Sequence, residues 1–166
     1  MNIIIAITLL IAYTIVLCII GKKIPNSLSA SVFTLPNKLK WIWTVVIIAI
    51  CFLCVPTFVD KCQGITKYFA FASICGLAVV GGIPLVKMKD DSLQHILHTC
   101  GAIICAICSQ VAIGYNNPWL LFAWLAFPII FGIYVKTTNC TWKTWRTKIF
   151  WAEMICFIDT FIFCLI

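Results

Sequence analysis

The sequence predicts an all-α membrane protein, a bundle of six transmembrane helices joined by short loops. Three observations lead there. The 166 residues are 63% hydrophobic and 10% charged, whereas soluble domains carry about 25% charged residues. The apolar residues fall in six runs, each close to the length that crosses roughly 30 Å of hydrocarbon at about 1.5 Å per residue. The basic residues fall mostly on alternate loops, as membrane orientation requires. One transmembrane domain over residues 1–166 accounts for the whole chain, with no soluble domain beside it.

The first run is Ile3–Ile20. No basic segment precedes it, no small-residue cleavage site follows, and Lys22 and Lys23 stop it, so it reads as a span and not as a signal peptide. The second is Trp41–Val59, with Pro56 near its end. The third is Tyr68–Val86, interrupted by Gly76, Gly81, Gly82 and Pro84. The fourth is Leu93–Ile113. The fifth is Trp119–Val135, where Pro128 is expected to kink the helix. The sixth is Ile149–Ile166. Small residues four apart (Ala72 and Gly76, Gly101 and Cys105, Ala102 and Ala106) let helix backbones approach, so spans three and four are expected at the centre and the Ile- and Leu-rich first span nearer lipid.

Of the twelve basic residues, Lys22, Lys23, Lys38, Lys40, Lys87, Lys89, Lys136, Lys143, Arg146 and Lys148 lie after spans one, three and five; Lys61 and Lys67 lie on the other side. This bias puts those three loops in the cytoplasm and both termini outside. The net charge of +7 is then an orientation signal and not a nucleic-acid footprint. Trp and Tyr residues near the span ends match interfacial belts. Nine of the eleven cysteines lie in apolar runs, so Cys51-x-x-Cys54 and Cys105-x-x-Cys108 read as small hydrophobes before redox or metal pairs. The sequon Asn139-Cys140-Thr141 falls on the cytoplasmic side, where it would not be used.

The first loop, Gly21–Lys40, is the longest. Two prolines, Pro25 and Pro36, fence a segment where Ser27, Ser29 and Ser31 alternate with Leu28, Ala30 and Val32. It is too apolar for a free linker. Two readings stand: a surface loop wetting its serines, or a segment folded back as a lid over a cytoplasm-facing pocket.

Polar residues are so scarce that Asp90–His98 is the obvious place to look for chemistry. It holds both histidines and two of the five acidic residues. At 100° per residue, Asp91, His95 and His98 share a face of span four, continued by Ala102, Cys105 and Ser109. Asp91 and Gln94 also suit a capping pair. On span six, Glu153 and Asp159 are carboxylates inside a membrane helix, which cost roughly 2.5–3.5 kcal/mol for Asp, and should face the bundle. Glu153 and His98 are both a few residues in from the cytoplasmic side, so a Glu153–His98 or Glu153–His95 contact is expected. Asp159 lies near the midplane, within reach of a backbone carbonyl or Gln110.

Three functions suit these residues. Two histidines and a carboxylate can hold Zn²⁺ with an open position for water, with Ser27, Ser29 or Ser31 nearby, as in membrane hydrolases of the alkaline-ceramidase type, although their set of motifs is not matched. His95, His98, Glu153 and Asp159 can form part of a proton or ion path, with Ser109 and Gln110 the only groups in the outer half. Or the cluster is structural and no cofactor is needed. The third reading leads: a non-catalytic membrane protein acting through the lipid bilayer, a protein partner or a second copy of itself, with no nucleic acid.

Ile24-Pro25-Asn26-Ser27-Leu28-Ser29-Ala30, then Trp41-x-Trp43-Thr44, the His95 helix, Ser109-Gln110 and Phe150-Trp151-x-Glu153 together resemble a group of small uncharacterised integral membrane proteins of Bacteroidetes and their phages. The resemblance covers most of the chain through order and spacing. It implies a bacterial or phage-borne inner-membrane protein and implies no activity. It singles out Ser27, Ser29, His95, Gln110 and Glu153.

Overall fold

The computed structural model describes residues 1–33, 35–85 and 91–166, apart from the side chains of Asn37, Leu85 and Asp91. Among them are six α-helices and no strand: α1 (Asn2–Gly21), α2 (Lys40–Lys61), α3 (Thr66–Gly82), α4 (Asp91–Asn116), α5 (Ala126–Thr138) and α6 (Lys148–Leu165). Each lies over one of the six expected runs. Four segments, α1, α2, α4 from Ser92, and Pro118–Thr138, are long and apolar enough to cross a membrane. The shorter α3 is also apolar, while α6 carries Lys148, Glu153 and Asp159 along its 18 residues.

Of the expected interruptions, Gly76 and Gly81 lie within α3, but the α-helix ends at Gly82 and a 3-10 turn over Ile83–Leu85 carries Pro84. Gly76 lets α3 meet α4. A Cβ built on Gly76 would lie 2.7 Å from the Gly101 carbonyl oxygen and 2.9 Å from the Cys105 amide nitrogen. Main chain touches main chain here, the close approach that small residues permit between membrane helices. The end of α3 is tied to α2 by two side chains. Thr44 Oγ1 donates to the Gly81 carbonyl at 2.7 Å, and Trp43 Nε1 donates to the Val80 carbonyl at 3.3 Å. These carbonyls lie in the last turn, where intrahelical partners run out. At the opposite end, Asn116 Nδ2 donates to Thr66 Oγ1 at 2.8 Å, so the foot of α4 is held to the head of α3.

The fifth run is not one continuous α-helix. It starts as a 3-10 helix over Pro118–Leu125, and α5 begins at Ala126. Pro128 therefore sits in the first turn of α5, where its missing N–H removes no helical hydrogen bond. Of the four long apolar segments the fifth run is the most exposed, with no buried residue in its spanning window. The first helix buries Ile3, Ala6, Leu10, Tyr13 and Leu17, a stripe spaced three and four apart that faces the bundle. After α5, Trp145 is buried against Phe127, Phe131 and Tyr134 at ring-centroid distances of 5.1, 5.2 and 5.6 Å. This belt residue serves to fold the last loop back onto α5.

All eleven cysteines are free, and Cys51, Cys54 and Cys164 are buried among apolar neighbours, in keeping with their use as small hydrophobes.

Candidate functional site

The first loop folds back onto the bundle. Leu28 and Val32 are fully buried and join the core. Ser27 and Ser31 are buried as well, so the serines do not wet an outer surface. Pro25 prevents a helix from running on, and the chain instead forms one 3-10 turn over Ser29–Phe33. Ser27 caps it, with its Oγ accepting the Ala30 N–H at 3.0 Å.

Glu153 of α6 meets the open end of that turn. Its carboxylate accepts the Leu28 N–H at 2.5 Å, the Ser29 N–H at 3.4 Å and the Ser27 hydroxyl at 2.9 Å; the Ser29 hydroxyl donates to the same oxygen as Ser27. A carboxylate thus gathers the amides that start a helical turn, where the backbone dipoles favour negative charge. One more bond closes the junction: the Phe150 N–H, in the first turn of α6, donates to the Asn26 carbonyl at 3.1 Å. Loop and helix each satisfy polar main-chain groups of the other.

The expected Glu153–histidine contact is not formed. Both ring nitrogens of His98 are buried with no hydrogen-bond partner among the described residues. His98 is 5% exposed. His95, by contrast, is exposed. Phe33 of the loop packs on both, with ring centroids 4.4 Å from His95 and 5.1 Å from His98. The loop therefore competes with the histidines for Glu153 and wins, because it offers four donors where an imidazole offers one or two. Among the described residues no three His, Cys, Asp or Glu side chains converge on one point. The side chain of Asp91 and all of Lys87, Lys89 and Asp90 lie outside the described residues. Gln94, expected to pair with Asp91, donates to the Ile83 carbonyl at 3.1 Å.

Asp159 is fully buried, and neither oxygen has a partner among the described residues. Gln110 does not serve it: its Oε1 accepts the Trp124 N–H at 2.8 Å. Ser109 is also occupied, donating to the Ala106 carbonyl at 3.0 Å. Among the described residues, the four groups suggested for a proton path do not form a connected chain of hydrogen bonds.

What sequence reading missed is the space between these residues. A cavity of about 590 Å³ lies between α2, α3, α4 and α6, with Ser27, Ser29, Glu153 and His98 at one end and Phe161 and Trp124 toward the other. That volume is typical of small-molecule sites. From His98 to Ser109 along α4 it extends about 16 Å, eleven residues at about 1.5 Å each. That is close to the depth of one leaflet, half of the roughly 30 Å hydrocarbon core. Thr99 and Ile103 of α4 and Ile149 of α6 line it and are exposed. The cavity is bordered by these exposed residues of α4 and α6, and Ser27, Ser29 and Ala30 of the loop line its polar end. The signal in the sequence was the run of small residues Ala102, Cys105, Ala106 and Ser109 on one face of α4. Such a face reads equally as a packing seam.

No protein family, curated protein or solved structure matches the chain. The site is therefore read from its own geometry.

Proposed function

We propose that this chain is an integral protein of a bacterial inner membrane that holds a lipid in its interior and performs no catalysis. The observation behind this reading is the cavity: about 16 Å long along α4 by residue count, lined largely by apolar side chains and bordered by the exposed Thr99, Ile103 and Ile149. The inner-membrane assignment rests on the ten-to-two distribution of basic residues across alternate loops and on the resemblance to membrane proteins of Bacteroidetes and their phages. In that orientation both termini are outside, and the loop–Glu153 junction sits at the cytoplasmic interface. The cavity then takes its occupant from the cytoplasmic leaflet. A tag after Ile166 that is labelled only from the cytoplasm reverses this orientation.

The absence of catalysis is supported by how the polar groups are spent. The Ser27 and Ser29 hydroxyls donate to Glu153, and among the described residues neither has a histidine partner. A nucleophile activated by an adjacent imidazole is therefore not assembled. If a protein partner or second copy docks, Pro118–Thr138 offers the most open helix face, since its spanning window buries nothing within the chain.

Lipid analysis of the purified protein tests the reading. Protein passed through gel filtration in a mild detergent is expected to retain stoichiometric lipid. Folded protein with no retained lipid contradicts it.

A further inference from the structure

The polar end of the cavity is built around one carboxylate. Glu153 lines the wall beside Ser27 and Ser29 and is partly exposed. His98, at the same end, keeps both ring nitrogens buried, so they present nothing to an occupant.

The bonds to Glu153 define its chemical form. Two are from main-chain amides, which can only donate, and two are from hydroxyls. The Ser27 oxygen already accepts the Ala30 N–H, so its own hydrogen points to Glu153. A carboxyl group that accepts from every partner is the ionised form. All four donors are neutral. They orient the negative charge and do not cancel it. The bonds are also unevenly shared. Oε1 accepts from both hydroxyls and from the Ser29 amide, whereas Oε2 accepts from the Leu28 amide alone among the described residues. Each carboxylate oxygen accepts about two hydrogen bonds, so Oε2 keeps one position open.

Beyond Glu153 the wall turns apolar. Phe157 and Phe161 follow it on α6 at steps of one helical turn, and both line the cavity, as do Ala102 and Ala106 of α4. At about 1.5 Å per residue, Phe161 lies roughly 12 Å from Glu153 along the helix. A fixed negative charge thus heads an apolar slot. Its complement is a molecule with a positive head and a hydrocarbon tail.

Resting on the lipid-binding reading above, we infer that Glu153 is the headgroup contact of a site for an amphiphile with a primary ammonium head. The ammonium donates to the open position of Oε2, a charge-assisted bond. The tail runs along Phe157 and Phe161. A primary ammonium carries three donors and no acceptor, which suits a group that only accepts. An alcohol head brings one donor and no charge, and a carboxylate head repels Glu153.

Native mass spectrometry of the whole chain tests this. Protein is loaded at neutral pH from three sets of micelles, doped to one level with oleylamine, oleyl alcohol or oleate, which share a chain and differ in the head. The amine adduct is expected to exceed the alcohol adduct about tenfold, the worth of one hydrogen bond to a charged group, and oleate to bind least. In Glu153→Gln the amine-to-alcohol ratio is expected to fall to about one. A loosened loop lowers both adducts and leaves their ratio, so the ratio reads the charge and not the fold. Ile149→Lys is a second variant, at an exposed position of the wall one turn before Glu153. It supplies a tethered ammonium within reach of the carboxylate and is expected to cut the amine adduct while sparing the alcohol. A further loading with phosphatidylethanolamine and phosphatidylglycerol of equal chains identifies the source. Preference for the ethanolamine lipid makes the ligand a membrane phospholipid; amine preference without it makes the ligand a single-chain amine. Alcohol or oleate bound as well as the amine, or a ratio unchanged in Glu153→Gln, overturns the headgroup inference and leaves the lipid site standing. No adduct from any probe overturns both.

Discussion

Glu153→Ala is expected to detach the first loop from α6. The carboxylate holds two main-chain amides and two hydroxyls, so its removal does more than delete one interaction. It strands the Leu28 and Ser29 amides in a part-buried site, and stranded donors carry the full cost of their lost hydration. The bonds share one acceptor group and are not additive, so the expected loss is roughly 3 kcal/mol and not four separate contributions. Two measurements read it. The melting temperature in detergent falls, and amide hydrogen exchange rises over residues 27–33, while the α3–α4 contact keeps its protection. Glu153→Gln keeps one acceptor oxygen but turns an NH₂ toward donors, so it is expected to fall between. Unchanged exchange over residues 27–33 in Glu153→Ala would show that apolar burial of Leu28 and Val32 is enough to hold the loop.

Gly76→Val is expected to be as damaging, for a steric reason. Even an alanine Cβ would lie 2.7 Å from the Gly101 oxygen and 2.9 Å from the Cys105 nitrogen. Both are main-chain atoms, which cannot rotate away, so α3 and α4 must part along the contact. Overpacking of this kind costs about 1–3 kcal/mol, and valine adds two further methyls. Two glycines serve as controls. Among the described residues, Gly82→Ala has no atom within 4 Å of the new Cβ, and Gly114→Ala meets only the flexible end of Leu121. Gly82→Ala is expected to be neutral or slightly stabilising, since alanine favours helix by about 1 kcal/mol over glycine. Thermal unfolding of the three variants separates the cases. Equal melting temperatures for Gly76→Val and Gly82→Ala would contradict the close helix crossing.

The six runs were readable because a bilayer imposes length and hydropathy on every span, and each observed helix lies on its run. The site was readable in part. Placing Glu153 and His98 at one depth follows from counting residues along two helices, and both do line the same cavity. Counting along an axis says nothing of rotation about it, however, and rotation turns His95 outward while burying His98. The partner of Glu153 was beyond reach for a different reason. It comes from Ser27 and Ser29, more than 120 residues away in the chain, on a loop whose path depends on where Leu28 and Val32 find a core. Periodicity does not apply to such a segment. Pro128 shows the same limit: its effect depends on where the α-helix begins, and a 3-10 stretch moves that start to Ala126.

The central claim is that lipid occupies the interior between α4 and α6. It is tested most directly by photo-crosslinking in vesicles whose lipids carry a diazirine midway along one acyl chain, followed by mapping of the labelled residues. The account predicts adducts at Ala102, Cys105 and Ala106 of α4 and at Cys156 of α6, all of which line the cavity. It also predicts their loss in Ala106→Phe, which fills the space. Adducts confined to outward residues such as Ile4, Ile11 and Ile15 of α1, and unaffected by Ala106→Phe, would contradict it.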